Sequence, residues 1–316
     1  MRVHAVFNRD GGTFRTMDME EYCRSAKSVF ADAGTDFTCE IVEGKEIERA
    51  LKVAAGKEKL DAILAGGGDG TISAAAGICW REGMPLGVVP AGTMNLFARS
   101  LQLPLDVHEV LTVLAQGSIK NADIATANGR PYIHQYSVGL HSRMVRLRNS
   151  YKFKSRWGKM RASVHAAVQA MLDPPVFDAV ATIDGKGEHF RTSAISVANN
   201  HFGADPLLFA ESLSGGELGI YIAGAMRPAG VAKLVFDILR GKLKESPAVT
   251  EFGARRLNLH FPKMPRKAKA VMDGELLPLE RDVEIELHAG ELKILAAETS
   301  ALGDPPPTGR PSRKSS

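Results

Sequence analysis

The segment Ala65-Gly66-Gly67-Gly68-Asp69-Gly70-Thr71 constrains this chain more than any other. It follows the apolar run Asp61-Ala62-Ile63-Leu64, which has the pattern of a buried strand, and precedes the helical stretch Ile72-Ser73-Ala74-Ala75-Ala76-Gly77-Ile78. Glycines at a strand-to-helix junction let backbone N–H groups approach a ligand with no Cβ in the way. The helix N-terminus behind them carries positive potential, so the guest such a junction suits is a phosphate. Asp69 is the odd member, an acid where an anion should bind, and it calls for a metal, a proton or a structural role.

The surrounding pattern says what kind of sheet holds this junction. Residues 3–8 form a short apolar strand ending in Asn8-Arg9-Asp10-Gly11-Gly12. Met19, Tyr22, Cys23, Ala26, Val29, Phe30 and Ala33 then recur at helical spacing, with Gly34 as the stop. A strand over 37–42, a helix over 45–55, a strand over 85–90 and a helix over 106–116 follow. Such alternation predicts a mainly parallel sheet with helices on both faces, whose ligands bind at the carboxyl ends of the strands. Three loops fall there: 8–12, 66–71 and 90–95.

After about residue 120 the texture changes. Strand-like segments at 132–137, 179–184, 192–198, 218–223, 256–261, 269–272 and 283–287 are separated by turns, with one helical insertion over 158–172. This predicts a β-rich, sandwich-like second domain. The expected organisation is an α/β domain over 1–121, with a segment near 290–302 as a candidate to complete it, a β-rich domain over 122–289, and a disordered tail over 303–316. A length of 316 residues suits two domains, and 44% hydrophobic with 24% charged residues is a soluble globular composition. No apolar run is long enough to span a bilayer, and 1–7 reads as a first strand rather than a signal peptide. Three cysteines (Cys23, Cys39, Cys79), odd in number and without metal-ligand spacing, read as reduced, buried thiols of a cytosolic protein.

The loop Pro90-Ala91-Gly92-Thr93-Met94-Asn95-Leu96-Phe97-Ala98-Arg99 again follows a buried strand and again places Gly-Thr before a helix. Two such loops at neighbouring strand ends favour a shared phosphate site over two coincidental turns. The hydroxyls of Thr71 and Thr93 can donate to phosphate oxygens, and the Asn95 amide can bond a ribose or a base. Gly67-Gly68-Asp69-Gly70-Thr71 together with Pro90-x-Gly92-Thr93-x-Asn95-x-Phe97-Ala98-Arg99-x-Leu101 resembles the diacylglycerol kinase catalytic domain, a family that includes sphingosine kinases. The first motif is shared with NAD kinases and phosphofructokinases; the second is more specific to lipid kinases. The resemblance is strong to about residue 101 and weaker beyond.

The resemblance implies an N-terminal nucleotide-binding α/β domain of the NAD kinase and diacylglycerol kinase type, with a C-terminal β-rich lipid-binding domain. It implies ATP as phosphoryl donor, Mg²⁺ delivered with it, and a membrane lipid hydroxyl as acceptor. Asn8, Gly11 and Gly12 match the first nucleotide loop, with Arg9 where the family usually has proline. Gly67, Gly68, Asp69, Gly70 and Thr71 match the triphosphate loop, and Gly92, Thr93 and Asn95 the second nucleotide contact. Asp273-Gly274-Glu275 matches a late Asp-Gly-Glu in which Asp273 would take the acceptor hydroxyl proton, assisted by Glu275. Asp69 would shape the loop or meet nucleotide-borne Mg²⁺. Without the upstream motifs, Asp-Gly is equally a hairpin turn signal.

Three departures from the family pattern stand out. Ser73-Ala74 replaces the usual Asn-Glu in the helix after the glycine loop. Leu213-Ser214-Gly215-Gly216-Glu217-Leu218 lacks the acids that hold a structural magnesium in some bacterial members, leaving such a site lost or rebuilt with Glu217 or Glu211. The late motif continues Leu276-Leu277-Pro278 rather than passing straight to proline. Basic residues crowd 143–161 (Arg143, Arg146, Arg148, Lys152, Lys154, Arg156, Lys159, Arg161), with Tyr151, Phe153 and Trp157 between them. This suits an anionic membrane surface, and the same pattern could grip RNA by stacking and phosphate contacts, with a solvated helix face as the plain alternative; because a lipid kinase must reach a headgroup, the expectation is a cytoplasmic, peripherally associated protein with no nucleic acid partner. A serine hydrolase is excluded, because no Gly-x-Ser-x-Gly elbow is present. The two competing readings are NAD kinase and a membrane-binding nucleotide sensor that has lost turnover.

Overall fold

Strand β1 (Arg2–Asn8) buries Val3 to Phe7 on both faces, and its neighbours explain why. It pairs in parallel with β2 (Asp36–Val42) on one side and β3 (Ala62–Gly67) on the other. The fold is that of a computed structural model, which describes residues 1–57, 59–150, 168–169, 172–265, 267–298, 300 and 302, without the side chains of 148–150. The insertion expected over 158–172 lies almost wholly outside the described residues, as do the tail 303–316 and the basic and aromatic residues of 151–161.

Helix α1 (Met19–Asp32) starts where the Asp18 carboxylate accepts the N–H groups of Glu20 and Glu21, and ends before Gly34 at φ 69°. Its buried stripe of Tyr22, Ala26 and Phe30 lies against the sheet, and Tyr22 meets Phe7 and Phe14 at ring distances of 5.3 and 5.2 Å. Helix α2 (Ile47–Ala55) packs with α3 (Asp69–Glu82), while α1 packs with α5 (Glu109–Ala115), so helices cover the sheet in two layers. Strand β4 (Leu86–Pro90) completes the order β2-β1-β3-β4. The strand order reverses between β1 and β3, the switch point at which such sheets open a crevice. A short helix, α4 (Leu96–Ser100), follows β4.

Strands β5 (Ser118–Ala127) and β15 (Asp282–Ala296) tie this α/β layer to the second half. Ile294 and Leu295 of β15 pair in parallel with Leu86 and Gly87 of β4, while its first residues pair with β12 (Arg256–His260). A register shift between His288 and Leu292 lets one strand serve both layers. Leu292, Ile294 and Leu295 belong to the α/β core; Val283, Ile285 and Leu287 belong to the second core. Buried Asp123 fixes this junction by accepting the N–H groups of Gly290 and Gly216 (both 2.8 Å) and the Asn200 amide (2.7 Å).

The second half is antiparallel throughout. It comprises β6 (Arg130–Tyr132), β7 (Gln135–Gly139), α6 (Leu140–Ser150), β8 (Phe177–Ile183), β9 (Lys186–Ala198), β10 (Leu218–Gly224), α7 (Pro228–Leu239), β11 (Val249–Ala254), β12, β13 (Lys269–Met272) and β14 (Glu275–Pro278). Strand β9 pairs with β8 over 186–192 and with β7 and β10 over 192–198, turning from one layer to the other.

Two local expectations change. The strand expected over 132–137 is broken at Ile133 and His134, whose N–H groups turn away from the ladder to the Asp273 carboxylate. The cysteines are not three reduced thiols: Cys23 on α1 and Cys39 on β2 form a disulfide, with Cα atoms 6.3 Å apart, and Cys79 alone is free and buried. An odd count carries no information about proximity; α1 packs on β2, and that contact brings the pair together.

Candidate active site

Three loops interlock at the carboxyl ends of β1, β3 and β4, and most of their glycines are there to let them touch. A Cβ on Gly67 would lie 2.6 Å from the Thr71 side chain, and one on Gly66 would enter Phe7 at 2.5 Å. One on Gly92 would meet the Gly68 Cα at 2.7 Å, and one on Gly11 the Asn8 carbonyl at 3.0 Å. Gly12 is less confined, at 3.3 Å from the Ala91 carbonyl. None of these glycines is at positive φ, so close approach, not backbone conformation, demands them.

Polar side chains stitch the same loops together. The Asn8 amide donates to the Thr71 hydroxyl at 2.9 Å, while its oxygen accepts the Asp10 N–H. Asp69 accepts the N–H groups of Asn95 (3.1 Å) and Leu96 (2.7 Å), so the acid that looked misplaced joins the glycine loop to the start of α4. The Asn95 side chain spends both its amide atoms on Gly92, whose N–H it accepts at 2.8 Å and whose carbonyl it bonds at 3.2 Å. It stands at φ 51°, a conformation asparagine tolerates better than most residues, and its role is to hold the loop. Thr93 is exposed and lines the cleft. The first intrahelical bond of α3 runs from Ile72 N–H to Gly68 carbonyl at 3.1 Å. The N–H groups of Asp69, Gly70 and Thr71 therefore have no acceptor within the helix and present a phosphate-sized positive end.

The second half contributes Asp273 and Glu275. Asp273 (φ 45°) and Gly274 (φ 86°) form the turn between β13 and β14, so the Asp-Gly pair is a hairpin turn and a site element at once. Asp273 Oδ1 accepts the N–H groups of His134 (3.0 Å) and Gln135 (3.1 Å). Its Oδ2 accepts Ile133 N–H (3.0 Å) and the Ser73 hydroxyl (2.6 Å). Ser73 lies one helical turn beyond Asp69, and its contact bridges 200 residues of chain and the two halves of the molecule. Desolvation raises the Asp273 carboxyl above its ordinary value, against the pull of its four hydrogen bonds. Glu275 is exposed, and a Cβ on Gly70 would stand 3.8 Å from its Oε1. The adjacent His134 ring is pushed down to about 4 by burial, with Asp69 opposing, so it is neutral at pH 7.

These groups line a cleft of two chambers that meet at Gly70 and Asp273. One, of about 490 Å³, has a mixed lining and holds Asn8, Thr71, Ser73 and Glu275, with the cations Lys52 and Arg81 at its walls. The other, of about 620 Å³, holds Asp69, Thr93 and His134 and runs toward Met144 and Leu208. Gln135, His141, Met144 and Leu208 also line a third cavity of about 360 Å³ whose surface is almost wholly apolar, walled by Phe202, Tyr221 and the inner face of α7. Sequence reasoning missed Ser73, which it registered only as a departure, and His134, Lys52 and Arg81. The Asp69 to Ser73 spacing of one helical turn was the only available signal.

Glu217 and Glu211 do not assemble a metal centre. Glu217 pairs with His201 at 3.3 Å, Glu211 accepts Ala204 N–H, and Gly216 is held by Asp123. Among the described residues no group of three or more His, Cys, Asp and Glu side chains is placed to hold a metal ion.

Comparison with known proteins agrees with this geometry. A family model described as the diacylglycerol kinase catalytic domain matches residues 2–127. A Staphylococcus aureus protein named diacylglycerol kinase is 26% identical over 252 residues, covering 76% of this chain and 77% of its own. An uncharacterised Synechocystis protein is 28% identical over 315 residues, covering 93% of this chain and 70% of that one. A crystal structure of a diacylglycerol kinase from Bacillus anthracis superposes with a TM-score of 0.71 at 17% identity, covering 95% of this chain and 98% of the other. The α/β half with its antiparallel β-rich partner is thus the fold of that enzyme, and residues 2–127 are similar to the diacylglycerol kinase catalytic domain.

Proposed function

We propose that the protein is an ATP-dependent kinase that phosphorylates a hydroxyl of a membrane lipid. The observation that carries this reading is the position of Asp273, at the meeting of the phosphate-binding chamber and a second chamber that shares Gln135, His141, Met144 and Leu208 with an apolar cavity. A nucleotide substrate such as NAD has no use for about 360 Å³ of apolar space, whereas an acyl or sphingoid chain does.

Each residue then has a task. The N–H groups of Asp69, Gly70 and Thr71 and the Thr93 hydroxyl receive phosphate oxygens, and Lys52 and Arg81 add positive charge. Glu275, with no ion-pair or hydrogen-bond partner among the described residues, is the carboxylate that would meet magnesium carried by ATP, which would neutralise triphosphate charge. The acceptor hydroxyl binds Asp273. All four acceptor positions of that carboxylate are taken, three by backbone N–H groups and one by Ser73, and only the Ser73 hydroxyl can rotate away. The lipid oxygen takes that position, passes its proton to Asp273 and bonds to the γ-phosphorus as the β,γ-bridging bond breaks and ADP leaves. A carboxylate raised by desolvation is the stronger base for this step.

Helix α6 carries Arg143 and Arg146 of the basic stretch, consistent with action at an anionic membrane surface. No helix among the described residues is long and apolar enough to cross a membrane. Incubation with γ-labelled ATP and a total lipid extract tests the reading: label should appear in the organic phase. Label entering NAD instead would support an NAD kinase, and nucleotide binding with no labelled product would leave the sensor.

A further inference from the structure

Helix α6 has two faces of opposite chemistry. Leu140, His141 and Met144 line the apolar cavity, while Ser142, Arg143 and Arg146 line a separate pocket of about 180 Å³. At 3.6 residues per turn the two sets point in nearly opposite directions, so the helix is a wall between two compartments. Lys263 and Lys269, far along the chain, complete the second pocket, and Phe177, Phe261 and Met264 supply an apolar lining.

Four cations face this small space with little to balance them. Arg143 pairs with the exposed Asp173 at 2.5 Å, yet its Nε is a buried donor without a partner. Arg146, Lys263 and Lys269 have no ion-pair partner among the described residues. Like charges held beside apolar surface repel, and an anion between them turns that cost into attraction. The guanidinium forks suit phosphate oxygens, and the aromatic and thioether lining suits an adjoining hydrocarbon stem.

We propose that this pocket binds the phosphoryl headgroup of an anionic phospholipid, distinct from the acceptor lipid on the other side of α6. Its occupant fixes α6 and with it the cavity wall of Leu140, His141 and Met144. The inference is independent of the kinase reading, because binding needs neither ATP nor turnover.

The test is calorimetric titration of the full chain with a soluble short-chain phosphatidate, paired with sedimentation on phosphatidylcholine vesicles with and without phosphatidic acid. One saturable site is expected. Arg146→Gln with Lys263→Gln should weaken it by about 30-fold, each cation contributing about 1 kcal/mol beside an anionic lipid. Lys269→Gln alone should lose about fivefold. Arg24→Gln with Lys27→Gln, exposed on α1, should change binding by less than about twofold. Inorganic phosphate should bind at least about tenfold more weakly, lacking the apolar contact. The proposal is overturned if the pocket variants, with unchanged thermal midpoints, bind like the parent. It is equally overturned if the α1 control loses as much, or if inorganic phosphate binds as tightly as the lipid.

Discussion

Ser73→Ala isolates the contact that joins the two halves of the site. It removes one of four hydrogen bonds to Asp273, the 2.6 Å bond from a side-chain hydroxyl. A hydrogen bond to a charged group contributes about 1.5–3 kcal/mol, and with three backbone donors left in a water-accessible cleft the net loss is about 1–2 kcal/mol. The sign with pH follows from linkage. Asp273 is raised above 3.8 in the folded protein, so the native state holds the proton more tightly and stability falls as pH rises through the window between the two values. The Ser73 donor favours the ionised form; without it Asp273 rises further and the window widens. At neutral pH the variant should therefore melt roughly 2–8 °C lower, at about 2–4 °C per kcal/mol for a chain of this size. Below the window, where the carboxyl is protonated in both proteins, the difference should shrink. Scanning calorimetry at neutral and acid pH measures this, and the acidic limb of the kcat/KM profile for phosphoryl transfer should move to higher pH in parallel. Ser73→Thr, which keeps the hydroxyl, should restore both. Equal destabilisation at both pH values would refute the reasoning, because packing loss is indifferent to protonation; an unmoved limb would remove Asp273 from the titrating step.

Three further outcomes are expected. Gly67→Ala places a methyl 2.6 Å from Thr71 and should cost about 1–3 kcal/mol in denaturant unfolding, with loss of nucleotide affinity by calorimetry. Ala194→Phe projects a ring into the apolar cavity and should abolish lipid phosphorylation while leaving ATP binding within about twofold, read by equilibrium dialysis. His134, depressed from 6.5 to about 4, resists protonation in the fold, so stability should fall as pH drops through that interval; His134→Gln should flatten the curve there, which urea midpoints across the range will show.

The site was legible in the chain wherever function depends on local geometry. Glycines whose Cβ would meet a neighbouring residue at under 3 Å leave a spelling in the sequence, and Gly67 and Gly92 carry it. Contacts made at long separation leave none. Ser73 looked like a lost motif residue until Asp273 was found 2.6 Å away, and Asn95 looked like a ligand amide until both its polar atoms were found on Gly92. The break at Ile133 and His134 is equally invisible locally, because the partner that unmakes the strand lies 140 and 139 residues away. Lys263 and Lys269 likewise fell outside the basic cluster near residue 150, since clustering was sought along the chain and not across α6.

What the sequence determined by itself is the α/β half: apolar runs with the period of strand and helix, joined by glycine-rich loops at the strand ends. That follows because secondary structure period and close backbone approach are written in neighbouring residues. Tertiary structure alone decided where the acid from residue 273 stands, that Asp69 is a tie between loops, that two cysteines meet, and that an apolar cavity opens beside the cleft. Each of these is a meeting of distant segments, fixed by how β15 and β5 cross between two cores, and no local pattern encodes it.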